Sequence, residues 1–434
     1  MKDFEFAKRF YNLRKDSGLS QKELSNILGV TNKAVSKWEN GDAMPSVKQL
    51  IQLSEIFNVS IDEIVKNKSV TCKNIYKICI TGGPCSGKST ALSWLQSHFT
   101  KNGYLVLFIP ESASELILGG ITPWTIDTNL NFESYIIRLQ LEKERLFEEA
   151  AQHVSNYDKV LIVCDRGIMD CKGYMTDQEF KIACRDLNTS EIKLRDSYDA
   201  VFHLVTAAKG AEKFYSHENN AARLETIEEA VLKDDAMLNA WTGHSHLRVI
   251  DNSTDFENKM KRLINEISSF LGEPQAYEIE RKFLIEYPNI NKLEKMINCK
   301  KVEIIQTYLQ NNNDGEMRIR QRGADGHYTY TKTTKVGSGI KRFETECRIS
   351  KNEYIELMIN ADTKKRQIRK TRYCLMHDNQ YFEIDIYPEW NDKAIVEIEL
   401  TNENQEINFP KFLKIIKEVT DDKEYSNYNL ASKI

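Results

Sequence analysis

One stretch of this 434-residue chain has the residue types and spacing to hold a nucleotide phosphate: Gly82-Gly83-Pro84-Cys85-Ser86-Gly87-Lys88-Ser89. It fits G-x-x-x-x-G-K-[ST], directly after the apolar run 75–80 and directly before a helical pattern over 90–99. The motif needs that context, because glycines let the backbone fold round a phosphate and the following helix turns its amides toward negative charge. In this setting Lys88 reaches the β- and γ-phosphates of ATP or GTP, and the Ser89 hydroxyl ligates Mg2+. Asp165 ends the run 159–164, where a second carboxylate on the Mg2+ side is expected; a plain strand-end cap is the alternative. Glu111 follows the run 104–109 and either receives a substrate hydroxyl or makes a loop salt bridge. Arg223 either closes on the phosphates or stays solvated. No N-K-x-D sequence is present, so nothing demands GTP.

A second chemistry is written in alternation. Side chains along a strand point to opposite faces, so Glu278, Glu280 and Lys282 share one face. The same holds for Arg318/Arg320, Glu344/Glu346, Glu383/Asp385 and Glu397/Glu399, while Ile319, Ile384, Ile386, Val396, Ile398 and Leu400 line the other faces. A single polar face is ordinary for one antiparallel strand. Acids and bases repeated at every strand predict a closed barrel with its charges inside. Gathered acids bind hard cations such as Mg2+ or Mn2+ through oxygen, and gathered Arg and Lys bind phosphate oxygens. The mixture of signs points to mutual pairing and a polyanionic ligand, since burying one sign alone is too costly.

A third set lies near the N-terminus. Residues 20–28 and 31–39 predict two short helices joined by Gly29-Val30, with Leu24, Ile27, Leu28, Val30, Val35 and Trp38 packed between them. That leaves Asn32, Lys33, Ser36 and Lys37 on the outer face of the second helix, types that reach bases and phosphates in a DNA major groove. A bundle used for docking is the plainer alternative.

The elements that must position these residues fall into three regimes, as the length suggests at roughly 150 residues per domain. Residues 1–68 are helical, with S-x-x-E/Q starts at Ser20, Ser46 and Ser60. Residues 74–271 alternate apolar strands (75–80, 104–109, 159–164, 200–205, 247–250) with amphipathic segments, the pattern of a parallel sheet covered by helices. Residues 276–434 are rich in strands. The fold class is therefore multidomain α + α/β + β: a helical bundle, a parallel-sheet domain, and an antiparallel eight-stranded β tunnel with flanking helices that closes without help from the other parts. The net charge of −4 excludes a globally basic nucleic-acid coat, so DNA contact needs a local basic face. Nine scattered cysteines with no CxxC pair read as reduced thiols in a cytoplasmic protein. The N-terminus lacks the apolar core of a secretory signal, and the strongest apolar run, 160–164, is too short to span a membrane. His244 and His246, two apart without further ligands, read as loop residues.

These stretches resemble known families. Leu19-Ser20-Gln21-Lys22-Glu23-Leu24 and Val35-Ser36-Lys37-Trp38-Glu39-Asn40-Gly41 resemble the lambda-repressor/Cro-type helix-turn-helix family over about 4–66. That resemblance implies that Gln21, Asn32, Lys33, Ser36 and Lys37 contact a palindromic DNA site read by a homodimer. Residues 81–90, Pro110-Glu111-Ser112-Ala113, Cys164-Asp165-Arg166-Gly167 with Asp170, and Trp241-Thr242-Gly243-His244 resemble the AAA_28-type P-loop NTPases, a kinase-like group. This implies a nucleotide site from Gly82 to Thr90 and leaves an ATP-dependent kinase activity open. Residues 278–282, Lys370-Thr371-Arg372-Tyr373, Glu397-Ile398-Glu399-Leu400, Glu418-Val419-Thr420-Asp421 and Tyr425-Ser426-Asn427 resemble the triphosphate tunnel metalloenzymes, or CYTH domains. By that resemblance Glu278, Glu280, Asp385, Glu397 and Glu399 are metal ligands or their supports. Lys282, Arg318, Arg320, Lys332 and Arg372 form the triphosphate clamp, and Glu344 and Glu346 belong to the tunnel floor. The implied reaction is attack of a metal-activated water on the terminal phosphoryl group of inorganic triphosphate or a nucleoside triphosphate. A regulator that senses triphosphate without turning it over is the alternative.

Overall fold

The helix starts marked in the sequence are the ones the chain uses. In the computed structural model, which describes residues 4–57, 64, 74–215, 226–272, 279–310, 315–336, 343–400 and 405–432, Ser20 caps α2 (Gln21–Leu28). Its hydroxyl accepts from Glu23 N at 3.2 Å, and the Glu23 carboxylate accepts from Ser20 N at 2.8 Å. Thr31 caps α3 (Asn32–Glu39) with one bond, its hydroxyl accepting from Ala34 N at 3.2 Å. Gly29, at φ 65°, ends α2 in the left-handed region that favours glycine. Phe10 of α1 (Phe4–Asp16), Leu24, Val35, Trp38 and Leu53 of α4 (Val47–Phe57) form the core. The start expected at Ser60 lies outside the described residues.

These helices belong to one compact unit, Met1–Asn74, and the rest of the chain, Ile75–Ile434, to a second. The second unit contains two sheets. β1 (Asn74–Thr81), β2 (Leu105–Ile109), β3 (Lys159–Asp165), β4 (Ala200–Leu204) and β5 (Leu247–Ile250) form a five-stranded parallel sheet in the order β2-β3-β1-β4-β5. Its strands are apolar almost throughout because both faces are covered. On one side lie α5 (Lys88–Lys101) and α11 (Phe256–Phe270); on the other lie α7 (Asn129–His153), α8 (Asp177–Asp186) and α10 (Ile227–Trp241). Two shorter helices, α6 (Ser112–Leu118) and α9 (Glu191–Arg195), complete this part. Asp170, just past β3, ties it together under the glycine-rich loop. It accepts from Thr81 Oγ1 at 2.5 Å, Trp241 Nε1 at 2.9 Å and Gly167 N at 3.0 Å.

The antiparallel sheet has nine strands where eight were expected. In order they run β10 (Phe343–Ile349), β9 (His327–Val336), β8 (Gly315–Ala324), β7 (Cys299–Tyr308), β11 (Ile368–His377), β12 (Gln380–Ile386), β13 (Lys393–Leu400), β6 (Ile279–Glu286) and β14 (Ile415–Glu418). The extra strand is the four-residue β14, laid against the outer edge of β6. Among the described residues β10 and β14 are the two edges of the ladder. One face carries Phe283, Ile285, Tyr373, Leu375, Phe382, Ile384, Val396 and Ile398, packed on Leu293 of α12 (Ile290–Leu293) and on Leu413. The alternate residues of the same strands carry the charges. Among the described residues no helix is long and apolar enough to cross a membrane.

Asp170→Ala leaves three buried donors without an acceptor, and it is expected to cost about 3–5 kcal/mol. Urea unfolding of the full chain, followed by tryptophan fluorescence, measures this; a loss below about 1 kcal/mol removes Asp170 as the tie.

Candidate functional site

The phosphate loop sits where β1 gives way to α5, and its glycines are demanded by the space. A Cβ on Gly82, at φ 143°, would come 2.1 Å from Leu204 O; one on Gly83 would come 2.8 Å from the Asp234 carboxylate. Lys88 donates to Gly82 O at 2.8 Å, Gly83 O at 3.2 Å and Ser86 Oγ at 3.3 Å. Burial, with Arg166 adding to it, pushes the Lys88 ammonium down to about 8. Pro84 and Cys85 are half-buried and Ser86 is buried, whereas Ser89 and Thr90 are exposed at the helix start.

Asp165 carries one carboxylate oxygen, Oδ1, that is buried with no hydrogen-bond partner, and burial raises its pKa although Lys88 opposes this. A bare carboxylate oxygen beside a phosphate loop fits a cation-binding role. Glu111 takes the salt-bridge option: it pairs with Arg166 and accepts from Ser114 Oγ at 2.6 Å. Burial would raise its pKa, but Arg166, the Ser114 hydroxyl and Lys88 together outweigh that and hold it low. Arg223 lies outside the described residues.

Sequence reasoning missed the groups that brace the loop from behind. Asp234, fully buried, accepts from Gly83 N at 2.8 Å, Thr206 N at 3.2 Å and Lys209 Nζ at 2.9 Å, and it contacts His203 Nε2 at 3.1 Å. Lys259 donates to Ser86 O at 3.2 Å, Val205 O at 2.7 Å and Asn252 Oδ1 at 2.8 Å. Both carried a legible signal. Asp234 stands in step with Ala230, Leu238 and Trp241, and Lys259 with Leu263 and Ile267, so each interrupts the buried stripe of its helix.

The charged face of the nine-stranded sheet is a network of cross-strand pairs. Register sets Arg372 opposite Asp385, Glu383 opposite Glu397, Glu397 opposite Lys282, and Glu399 opposite Glu280. Arg372 reaches Asp385 at 2.7 Å and Glu397 at 2.6 Å, and it also pairs with Glu383. Lys282 joins Glu397 at 2.6 Å and Glu280 at 3.2 Å; Lys370 pairs with the fully buried Asp385. Burial and the neighbouring Glu397 charge raise the Glu280 pKa, whereas Lys282, Lys370 and Arg372 together hold Glu397 well below the usual range despite its burial. Farther along, Glu346 accepts from Thr333 Oγ1 at 2.9 Å and stands 3.7 Å from Arg320, while Arg318 is 3.9 Å from Glu316.

One assignment changes and two cannot be placed. Lys332 pairs with Ile319, so it lies on the face opposite Arg318 and Arg320, whose partners are Thr333 and Thr331. The position in step with the arginine row is Lys335, opposite Glu316 and Glu344. Period two through Thr331, Thr333 and Lys335 was the available signal. Glu278 lies outside the described residues, and of Glu344 only the backbone is described. Among the described residues, no three His, Cys, Asp or Glu side chains converge as a metal cluster, because each acid turns to a cation instead. The donor set is nonetheless all oxygen, and the like-charge strain between Glu280 and Glu397 fits a site that takes a divalent cation.

The charged face also meets the parallel sheet. Arg322 of β8 stands 3.3 Å from Asp196 and donates to Gly243 O at 2.5 Å; Tyr381 of β12 donates to His244 O at 3.0 Å and accepts from Gly243 N at 3.2 Å. His246 stands 3.4 Å from Glu346, and Arg248 of β5 pairs with Glu399. The histidine pair is therefore not a plain loop feature. His244 is buried against Tyr198 O at 2.9 Å, and that burial pushes its imidazole down to about 3.

On α3, Asn32, Lys33 and Lys37 are exposed and Ser36 is half-buried. Gln21 is turned inward: its amide donates to Glu39 at 2.6 Å, in a network that Arg14 completes at 2.5 Å.

A glycine-rich phosphate loop in a parallel sheet, joined to an antiparallel sheet with one charge-lined face, defines a P-loop protein fused to a second, strand-rich module. Residues 10–64 match the helix-turn-helix family, residues 77–259 the AAA domain family, and residues 276–425 the CYTH domain family. The chain is similar to an inorganic triphosphatase of Nitrosomonas europaea, 34% identical over 160 residues that make up 36% of this chain and 98% of that protein. It is similar at its N-terminus to the HTH-type transcriptional activator BcrR of Enterococcus faecalis, 35% identical over 66 residues, or 15% of this chain and 32% of that one. A solved inorganic triphosphatase structure is 29% identical over 37% of this chain and 97% of its own, with a TM-score of 0.27. The chain belongs to the CYTH family, with a helix-turn-helix domain and an AAA-type NTPase domain ahead of that module.

The register predicts that Lys332→Ala leaves binding of inorganic tripolyphosphate within about twofold, whereas Lys335→Ala weakens it about tenfold. Calorimetric titration of the full chain checks both; the reverse order returns Lys332 to the charged face.

Proposed function

We propose that this protein is a DNA-binding regulator that binds ATP or GTP in its central part and hydrolyses a triphosphate on the charged face of its C-terminal sheet. The parts are taken as 1–68, 74–271 and 276–434, in a cytoplasmic homodimer. The observation that carries the hydrolase reading is the alternation of acids and bases in register across β6, β11, β12 and β13, supported by the triphosphatase relative.

The substrate reading follows from the charges. Arg372, Lys282, Arg320 and Arg318 offer charge-assisted donors to the non-bridging oxygens of a triphosphate, and each already sits beside an acid it can share. Glu280, Glu397, Glu399 and Asp385, with Glu278, would hold Mg2+ or Mn2+, which supplies charge neutralisation and an acidified water. In the hydrolysis the water oxygen bonds to the terminal phosphorus as the bridging P–O bond breaks, giving orthophosphate and the shortened chain. The proton released from water goes to a carboxylate of the same charged face. The arginines orient the chain and stabilise charge that develops on the leaving oxygen.

The test is phosphate release from inorganic tripolyphosphate by the full chain with Mg2+ or Mn2+. Glu280→Gln is expected to lower release at least 100-fold with little loss of fold, and Lys88→Ala to leave it intact while removing most ATP or GTP affinity. No release by the wild-type chain defeats the hydrolase reading, release unchanged in Glu280→Gln removes Glu280 from the site, and nucleotide binding unchanged in Lys88→Ala defeats the loop assignment.

For DNA, the exposed row Asn32, Lys33 and Lys37 supports major-groove contact, with Ser36 beside it. Lys33→Ala or Lys37→Ala is expected to cost about 1–3 kcal/mol where it reads a base, and to flatten the salt dependence where it touches phosphate. Fluorescence anisotropy on oligonucleotides selected from a random pool measures both effects. If no sequence is enriched, the bundle is a docking module.

A further inference from the structure

The charged face of the antiparallel sheet is not lined by its own strands alone. Residues 243–248 of the central part touch it: 243 and 244 meet Arg322 and Tyr381, His246 meets Glu346, and Arg248 meets Glu399. The Arg322 contact is sealed, with Arg322 and Asp196 both buried. The contacts of His246 and Arg248 are not. The side chains of His246, Glu346 and Arg248 keep 25%, 19% and 16% of their exposure, enough for a ligand to reach them.

The His246 contact also gathers polar atoms with nothing to bond. Arg320 Nε, Thr331 Oγ1 and His246 Nδ1 are buried without a hydrogen-bond partner. They belong together: Thr331 is the cross-strand partner of Arg320, and both Arg320 and His246 flank Glu346. A buried polar group left unpaired costs on the order of 1–3 kcal/mol, so three at one place are either a standing penalty or the lining of a site for an oxygen-rich anion. Arg248 adds a further cation at the Glu399 side, where Glu266 of α11 also approaches it at 3.6 Å.

We propose that the triphosphate site is composite: the central part lends His246 and Arg248 to the charged face, and the anion is bound between the two sheets. This rests on the triphosphate reading above and extends it, because two of the groups that recognise the substrate come from outside the CYTH domain. The cation row of Arg318, Arg320 and Arg372 then faces a second row across the anion, so a linear chain of three phosphates meets donors on both sides. Turnover thereby depends on how the central part is seated.

The experiment uses the full chain and inorganic tripolyphosphate, with binding read by calorimetry and KM and kcat read from phosphate release with Mg2+ or Mn2+. His246→Ala and Arg248→Ala are each expected to raise Kd and KM about tenfold while kcat stays within about twofold, and Arg248→Lys recovers part of the loss. Unchanged Kd and KM in both His246→Ala and Arg248→Ala overturn the composite site and leave the hydrolase reading standing. A wild-type chain that binds tripolyphosphate but releases no phosphate defeats the hydrolase reading instead, and the binding series still decides the composite site.

Discussion

The C-terminal sheet depends on pairing the Asp385 carboxylate in a place that water does not reach. A lone buried carboxylate is untenable, and here Lys370 and Arg372 surround it from the adjacent strand. Arg372 is the hub, since the same guanidinium also serves Glu383 and Glu397. Register follows from this pairing. A slip of one residue would turn every charge of β11 or β12 into the apolar layer of Phe382, Ile384 and Leu375, so the acids and bases fix the strand alignment as firmly as the core does. The pairs also keep the face ready for a polyanion: a phosphate oxygen can take over a guanidinium that an acid now holds, without the cation ever being left bare.

The phosphate loop solves a related problem with opposite signs. Its backbone must present amides outward and still hold its shape, so the bracing comes from behind. Asp234 takes the Gly83 amide and Lys259 takes the Ser86 carbonyl, each through further bonds to the loops after β4 and β5. The bracing is charged because one acid or one ammonium can satisfy three or four polar groups at once, which neutral side chains do less strongly. It also connects the loop mechanically to α10 and α11, and β5 leads into α11.

How much of this was legible depended on periodicity. The five parallel strands, the helix caps at Ser20 and Thr31, and the alternating faces of β6, β12 and β13 are local patterns, and the sequence displays them. Lys332 went astray because Thr329 to Lys335 offers two lysines, and only pairing with β8 decides which one keeps step with Arg318. Asp234 and Lys259 looked like ordinary helix charges until their neighbours four and eight residues away were seen to be buried. The contacts of His246 with Glu346 and of Arg322 with Asp196 join residues 100 or more apart, as the separation of 126 for the second pair states, and no local pattern encodes them. The ninth strand is four residues long and carries no alternation of its own.

Tyr381 has one hydroxyl and uses it twice on the central part, accepting from Gly243 N and donating to His244 O. Those backbone groups stand just before β5, the edge strand of the parallel sheet. During synthesis the whole parallel sheet leaves the ribosome long before Tyr381 does, so this corner must wait in water for its partner. The C-terminal module thus acts as a late-arriving clasp: the order of translation, rather than a separate chaperoning factor, decides when the edge at Gly243 is sealed.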